Sequence, residues 1–74
     1  MIENYYMEFW LQKFSNNLQK YRLQKGLTKT GLATLVDCDV SYIGKIERKE
    51  KSPNFKMIIK LATALEIEPK NLFE

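Results

Sequence analysis

The sequence predicts an all-α domain of five helices, on three observations. Apolar residues recur at three- and four-residue spacing almost throughout, and β-branched residues alternate with polar ones over no useful stretch. Thr28, Asp39 and Asn54, all suited to helix N-caps, each stand just before an apolar run. Glycines and prolines number only three and two, and two of them, Gly26 and Pro69, stand where helices should end or begin.

The first helix carries Phe14, Leu18 and Tyr21 at i, i+4 and i+7, with Arg22 adjoining. Gly26 should end it, with Lys25 well placed at the negative end of its dipole. Ile2, Tyr6, Phe9, Lys13 and Phe14 keep roughly helical spacing, so the helix is expected to start near Glu3. Thr28 should cap a second helix running to Val36, with Leu32, Ala33 and Val36 inward. Asp37, Cys38 and Asp39 form a tight connector, and aspartate tolerates the left-handed backbone better than most residues. Asp39 then caps a third helix, Val40 to about Arg48, with Ile43 and Ile46 inward and Tyr42 and Lys45 flanking them. Lys49 to Pro53 is a charged loop. Asn54 caps a fourth helix whose stripe is Phe55, Ile58, Leu61, Ala62 and Leu65. Pro69 opens a last helical turn, from which Leu72 and Phe73 close the core.

Seventy-four residues make one domain, with a modest core that a partner subunit would help to stabilise. One cysteine excludes an intrachain disulfide and fits a reducing, cytoplasmic location. With no histidine, a zinc finger is nearly excluded and no metal or cofactor is expected. The first residues are acidic and aromatic rather than a signal peptide, and no apolar run is long enough to span a membrane. Net charge is +3. From Lys20 to Lys60 there are ten basic and four acidic residues, which puts +6 there and −3 elsewhere. That distribution suits a polyanion-binding face, and equally a solvated lysine-rich surface.

The informative unit is two short helices joined by about three residues. A recognition helix must show its N-terminal residues to base edges while its other face grips the domain. Ile43 and Ile46 are the grip; Val40, Ser41, Gly44 and Lys45 are small or polar and expected to face outward. Thr28, the amides after it and Lys29 would offer donors and positive charge to a phosphate.

The stretch from Arg22 to Ala33, followed by Ser41-Tyr42-Ile43-Gly44-Lys45-Ile46-Glu47-Arg48, resembles the Cro and phage-repressor (xenobiotic-response-element-like) helix-turn-helix family. So do Ser52-Pro53-Asn54-Phe55, Leu61 to Ile67 and Asn71-Leu72-Phe73. The resemblance covers about residues 14–74. It implies a compact five-helix, lambda-repressor-like domain that binds double-stranded DNA in the major groove, usually as a homodimer on a near-palindromic site. It also implies a partly buried ion pair between Arg22 and Glu47, in which each charge depends on the other.

Val40, Ser41 and Lys45 match the family's base-reading positions. Lysine can donate to guanine, Ser41 to a base or a phosphate, and Val40 either touches a thymine methyl or packs at the helix start. Lys29 stands where the family often has glutamine. Tyr42 either donates to a phosphate or lies flat on the domain. Arg48, Lys49, Lys51 and Asn54 fall where the family tracks the sugar-phosphate backbone; a solvated loop is the alternative, and for Lys49 the two readings weigh equally. Two glycines usual in the family are replaced, one by Asp37 and one near Lys49. Gly31 and Gly44 interrupt helices, each at up to about 1 kcal/mol relative to alanine. Restriction–modification controllers of this family often carry arginine where Val40 stands, which counts against that subclass here.

Residues 1–13 precede the family domain as an aromatic extension of its first helix. Ile2, Tyr5, Tyr6, Phe9, Trp10 and Leu11 are too apolar to leave in water, and either pack on the same subunit or form a dimer contact. The leading function is a sequence-specific transcriptional regulator, a repressor or autoregulator. A protein-interaction module of the same fold, without a specific DNA site, is the alternative. An enzyme is the weakest reading, since no nucleophile–base pairing, metal set or glycine-rich phosphate loop is found.

Overall fold

The computed structural model describes residues 2–74; Met1, the first residue of the expected extension, lies outside the described residues. Four α-helices and a closing 3-10 turn follow one another, with no strand among the described residues. They are α1 (Ile2–Gln24), α2 (Lys29–Val36), α3 (Val40–Glu47) and α4 (Phe55–Leu65), then the turn Pro69–Phe73. The expected fifth helix is thus this single 3-10 turn. Helix α1 is unbroken over 23 residues, so the aromatic segment and the first helix of the domain are one rod.

The core lies where one stripe from each helix meets. Phe14 and Leu18 of α1, Leu32 and Val36 of α2, Ile43 and Ile46 of α3, and Leu61 and Leu65 of α4 are buried, with Leu72 of the turn beneath them. Each such side chain contributes roughly 1.5–3 kcal/mol on burial, which places the stability of so small a domain in these few residues. Phe55 departs from expectation: it is 77% exposed. Periodicity assigns it to the apolar side of α4, but it stands in the first turn, at the edge of the stripe, beyond the neighbours that cover Leu61 and Leu65.

N-caps stand where the side chains predicted them. Oγ1 of Thr28 accepts from the amide of Gly31 at 2.9 Å, Oδ1 of Asp39 from Ser41 at 2.8 Å and Oδ1 of Asn54 from Met57 at 2.8 Å. At the other end, every α-helix is followed by one left-handed residue: Gly26 (φ 74°), Asp37 (φ 57°), Lys49 (φ 66°) and Glu66 (φ 58°). In each case the next amide reaches back to a carbonyl of the last turn, as from Cys38 to Ala33 at 3.0 Å and from Ile67 to Ala62 at 3.0 Å. Only the first of the four is glycine. Asp37 and Lys49 adopt the conformation for which the family's glycines are suited, at a cost that surrounding structure must offset.

One polar contact inside the core was not foreseen. Ser15 is buried and its Oγ donates to the carbonyl of Ile46 at 2.6 Å, tying α1 to α3.

Relieving the left-handed strain is expected to stabilise the fold. Asp37→Gly should raise stability by up to about 1 kcal/mol, and Asp37→Val should lower it by more. Thermal melts of the two variants check this; equal destabilisation by both would show that aspartate is favoured there for another reason.

Candidate nucleic-acid interface

Helix α3 sets the geometry of the site. Ile43 and Ile46 anchor it in the core, while Val40, Ser41 and Lys45 stay exposed. Because successive residues turn by about 100°, Ser41, Lys45 and Arg48 form one outward row, with Val40 at its N-terminal edge. Asp39 fixes where the row begins. Its carboxylate accepts the Ser41 amide, and that hydrogen bond holds its pKa below the ordinary carboxylate value, with a smaller contribution from nearby Lys45.

The last turn of α3 is held from behind by Arg22. Its Nε donates to Oε2 of Glu47 at 2.7 Å, its Nη2 to Oε1 at 3.0 Å and its Nη1 to the carbonyl of Leu27 at 2.9 Å. Both side chains are almost wholly buried, at 6% and 3% exposed. The hydrogen bond to Glu47 raises the arginine's pKa, outweighing the opposite effect of desolvation. One guanidinium therefore joins the end of α1, the loop into α2 and the end of α3.

Two positions differ from expectation. Gly44 does not face outward freely: it is buried beneath Arg48, and a Cβ built there would stand 2.9 Å from an Arg48 guanidinium nitrogen. Its lack of a side chain lets that guanidinium come close to the helix. Arg48 is in turn engaged by Glu50, Nε to Oε2 at 2.8 Å. That pairing raises the pKa of Arg48 and lowers that of Glu50. Sequence reasoning missed Glu50, because residues two apart do not meet on a helix. The left-handed turn at Lys49 ends the helix and brings the carboxylate back beside Arg48.

The remaining candidates flank this row. Thr28 is exposed at the start of α2, and Lys29 beside it is half-buried. Tyr42 is half-buried against the core, which pushes its phenol pKa up, and Nζ of Lys51 lies 5.8 Å over its ring. The ring therefore packs on the domain, with Lys51 above it. Lys49 and Lys51 lie exposed on the loop after α3. Asn54 uses its carbonyl oxygen as a cap, which leaves its amide group as the donor.

Two short helices, an N-capped reading helix with a buried back and a polar front, and lysines on either side define a helix-turn-helix DNA-binding class. A family model described as Helix-turn-helix (HTH_3) matches residues 18–72, and the chain belongs to that family. Several solved structures are similar. The restriction–modification controller protein C.AhdI from Aeromonas hydrophila is 46% identical, with 85% of this chain covering 96% of that one at a TM-score of 0.82. The controller C.Esp1396I, solved as a tetramer with its natural 35 base-pair operator, is 34% identical, with 88% of this chain covering 86% of that one at a TM-score of 0.79. An HTH_3 family transcriptional regulator from Vibrio cholerae is 28% identical over 90% of this chain and 38% of that one, at a TM-score of 0.84. No curated protein sequence matches. Val40 had counted against the controllers, yet two of these three are controllers. One side chain at the head of α3 therefore does not set the chain apart from them.

Two outcomes follow from the geometry. Glu47→Ala, which strands a buried arginine, should cost about 3–5 kcal/mol, while the double change Arg22→Met with Glu47→Leu should recover most of that; urea melts check it. The Asp39 cap, whose folded pKa is depressed, stabilises fully above the unfolded carboxylate value and is lost as pH falls through the folded one. Asp39→Asn keeps an acceptor for the Ser41 amide and so should melt with a shallower acid dependence than the parent.

Proposed function

We propose that the chain is a sequence-specific transcriptional regulator, a repressor or autoregulator, that binds a near-palindromic operator as a homodimer through the major groove. The observation that carries this reading is the division of α3 into a buried back and an exposed polar front. Val40, Ser41 and Lys45 meet bases, with Lys45 donating to guanine. Gly44 serves them indirectly, by seating Arg48. Thr28, Lys29, Tyr42, Lys49, Lys51 and Asn54 meet phosphates and set register. Arg48 joins them once a phosphate displaces Glu50, so its contribution is reduced by that carboxylate. Residues 14–74 are the DNA-binding unit and residues 1–13 an extension of its first helix.

The similar C.Esp1396I controller occupies its operator as a tetramer, which supports an oligomer as the binding species here. This is a binding protein rather than an enzyme, and a cytoplasmic one. No helix of the described residues is long and apolar enough to cross a membrane.

Selection of bound sites from random duplex DNA, followed by titrations at several salt concentrations, tests the reading. A preferred near-palindrome and a steep loss of affinity with salt are expected. Binding without preference would favour the protein-interaction module instead. On the selected site, Lys45→Ala should relax preference at one position per half-site by about 1–3 kcal/mol, and Lys51→Ala should weaken all sequences alike. An equal loss on every site from Lys45→Ala would remove it from the reading row.

A further inference from the structure

The inner stripe of α1 runs further than the core it serves. Leu18, Phe14, Leu11 and Met7 follow one another at four- and three-residue spacing along one side of the helix. Leu18 and Phe14 are buried, Leu11 is half-buried and Met7 is 54% exposed. Where the stripe leaves the core, it lines one side of a cleft, with Trp10 beside it. Ser52 and Pro53 of the loop after α3, Ile58 of α4 and Phe73 of the closing turn line the rest. Trp10 meets Phe73 edge-on, at 6.3 Å between ring centroids, and the Phe14 ring lies 5.3 Å from the same centroid. The cleft has a volume of about 150 Å³ and opens to solvent.

We propose that this cleft is a binding site for a small uncharged aromatic molecule of one or two rings, whose occupancy restrains the loop from Lys51 to Asn54. Three properties select that occupant. The first is size. An apolar cavity of roughly 150 Å³ holds a benzene ring, whereas sites for larger ligands run to ~300–1,000 Å³. A single ring fits, and a helix of a partner protein does not. The second is charge. No charged side chain lines the cleft, and the Ser52 hydroxyl and the Trp10 indole are its only side-chain O–H and N–H groups. A charged ligand would lose its hydration there without a partner. The third is the set of rings. Trp10, Phe14 and Phe73 already form an edge-to-face and tilted cluster, to which a further ring adds in the same geometry. The effect on the loop follows from the lining. Ser52 and Pro53 lie between Lys51 and Asn54, so a ligand held against α1 restrains the segment that joins them. Binding to the cleft is independent of the regulator reading. The effect on DNA rests on it, because that reading sets Lys51 and Asn54 on phosphate. DNA then has less of the loop left to order when the cleft is filled, so the two ligands strengthen each other.

Toluene is the probe, with benzoate and benzylamine as its charged counterparts, each titrated into the full chain and followed by nuclear magnetic resonance. Trp10 is the only tryptophan, so its indole N–H reports on the cleft without ambiguity. That resonance should move with toluene and saturate, while the methyls of Leu35, exposed elsewhere on the surface, stay in place. Benzoate and benzylamine should bind about tenfold more weakly or worse. Met7→Glu puts a charge at the mouth of the cleft on an exposed position and should weaken toluene by a similar factor with helicity unchanged. Gln12→Glu, exposed on the same helix and off the cleft, should bind as the parent does. Shifts that never saturate or that include Leu35, charged probes that bind equally well, or a Met7→Glu chain that binds like the parent would each overturn the site. A Trp10 resonance that moves with protein concentration and not with toluene would give the cleft to a second copy of the chain instead. On the selected operator, saturating toluene should raise affinity by about fivefold in the parent and not in Met7→Glu. An operator affinity that toluene leaves unchanged or lowers would overturn the effect on the loop. If random-site selection finds no preferred DNA while toluene moves Trp10 as expected, the regulator reading fails and the cleft stands.

Discussion

Arg22 carries a charge into a part of the molecule almost without water, and much of the structure follows from how that charge is met. Three of its nitrogens find partners, two on Glu47 and one on the carbonyl of Leu27. Desolvating two ions is expensive, and the pair is sustained by its two-pronged geometry and the further bond to the backbone. The consequence is positional. The end of α1, the loop leading to α2 and the last turn of α3 are held by one planar group. Ser15 adds a second tie from α1 to α3, one turn of α1 before Leu18, through the carbonyl of Ile46. Between them these two contacts hold the reading helix by its back, so its front is free of structural duty.

That freedom is only partial. The outward row contains an arginine lying on a glycine and bound by its own carboxylate neighbour. The Arg48–Glu50 pair is exposed, and so worth little to stability. Its effect is on recognition: any anion approaching Arg48 meets Glu50 as well. Lys45 and Lys51 remain the less encumbered donors on this surface, one on the reading row and one over the ring of Tyr42. A single helix end thus presents an exposed lysine, a shielded cation and a second lysine over a ring within seven residues.

Helix ends account for much else in the architecture. Each of the four helices stops on a left-handed residue, and three of these carry side chains. Packing overrides local preference there: Val36 and Leu65 are buried at the last positions of α2 and α4, directly before the turn, and Ile46 and Glu47 are buried at the end of α3, just before the turn at Lys49. The turn at Lys49 has a further effect, since it alone brings Glu50 against Arg48.

The helices themselves, their order and their N-caps were legible in the sequence, because capping and helical spacing are local and Thr28, Asp39 and Asn54 act within three residues of themselves. The core was legible for the same reason, as was the exposed front of α3 apart from Gly44, which Arg48 covers. What local pattern does not contain is where a neighbouring element ends. Phe55 shares a side with Leu61 yet lies in water, and Ser15 looks like any exposed helix serine until Ile46 is placed above it. The exposure of the aromatic face of α1 was likewise decided in three dimensions: the sequence by itself determined that those residues were apolar and helical, and the tertiary structure left them uncovered, because the domain is wide enough to bury only one side of that helix.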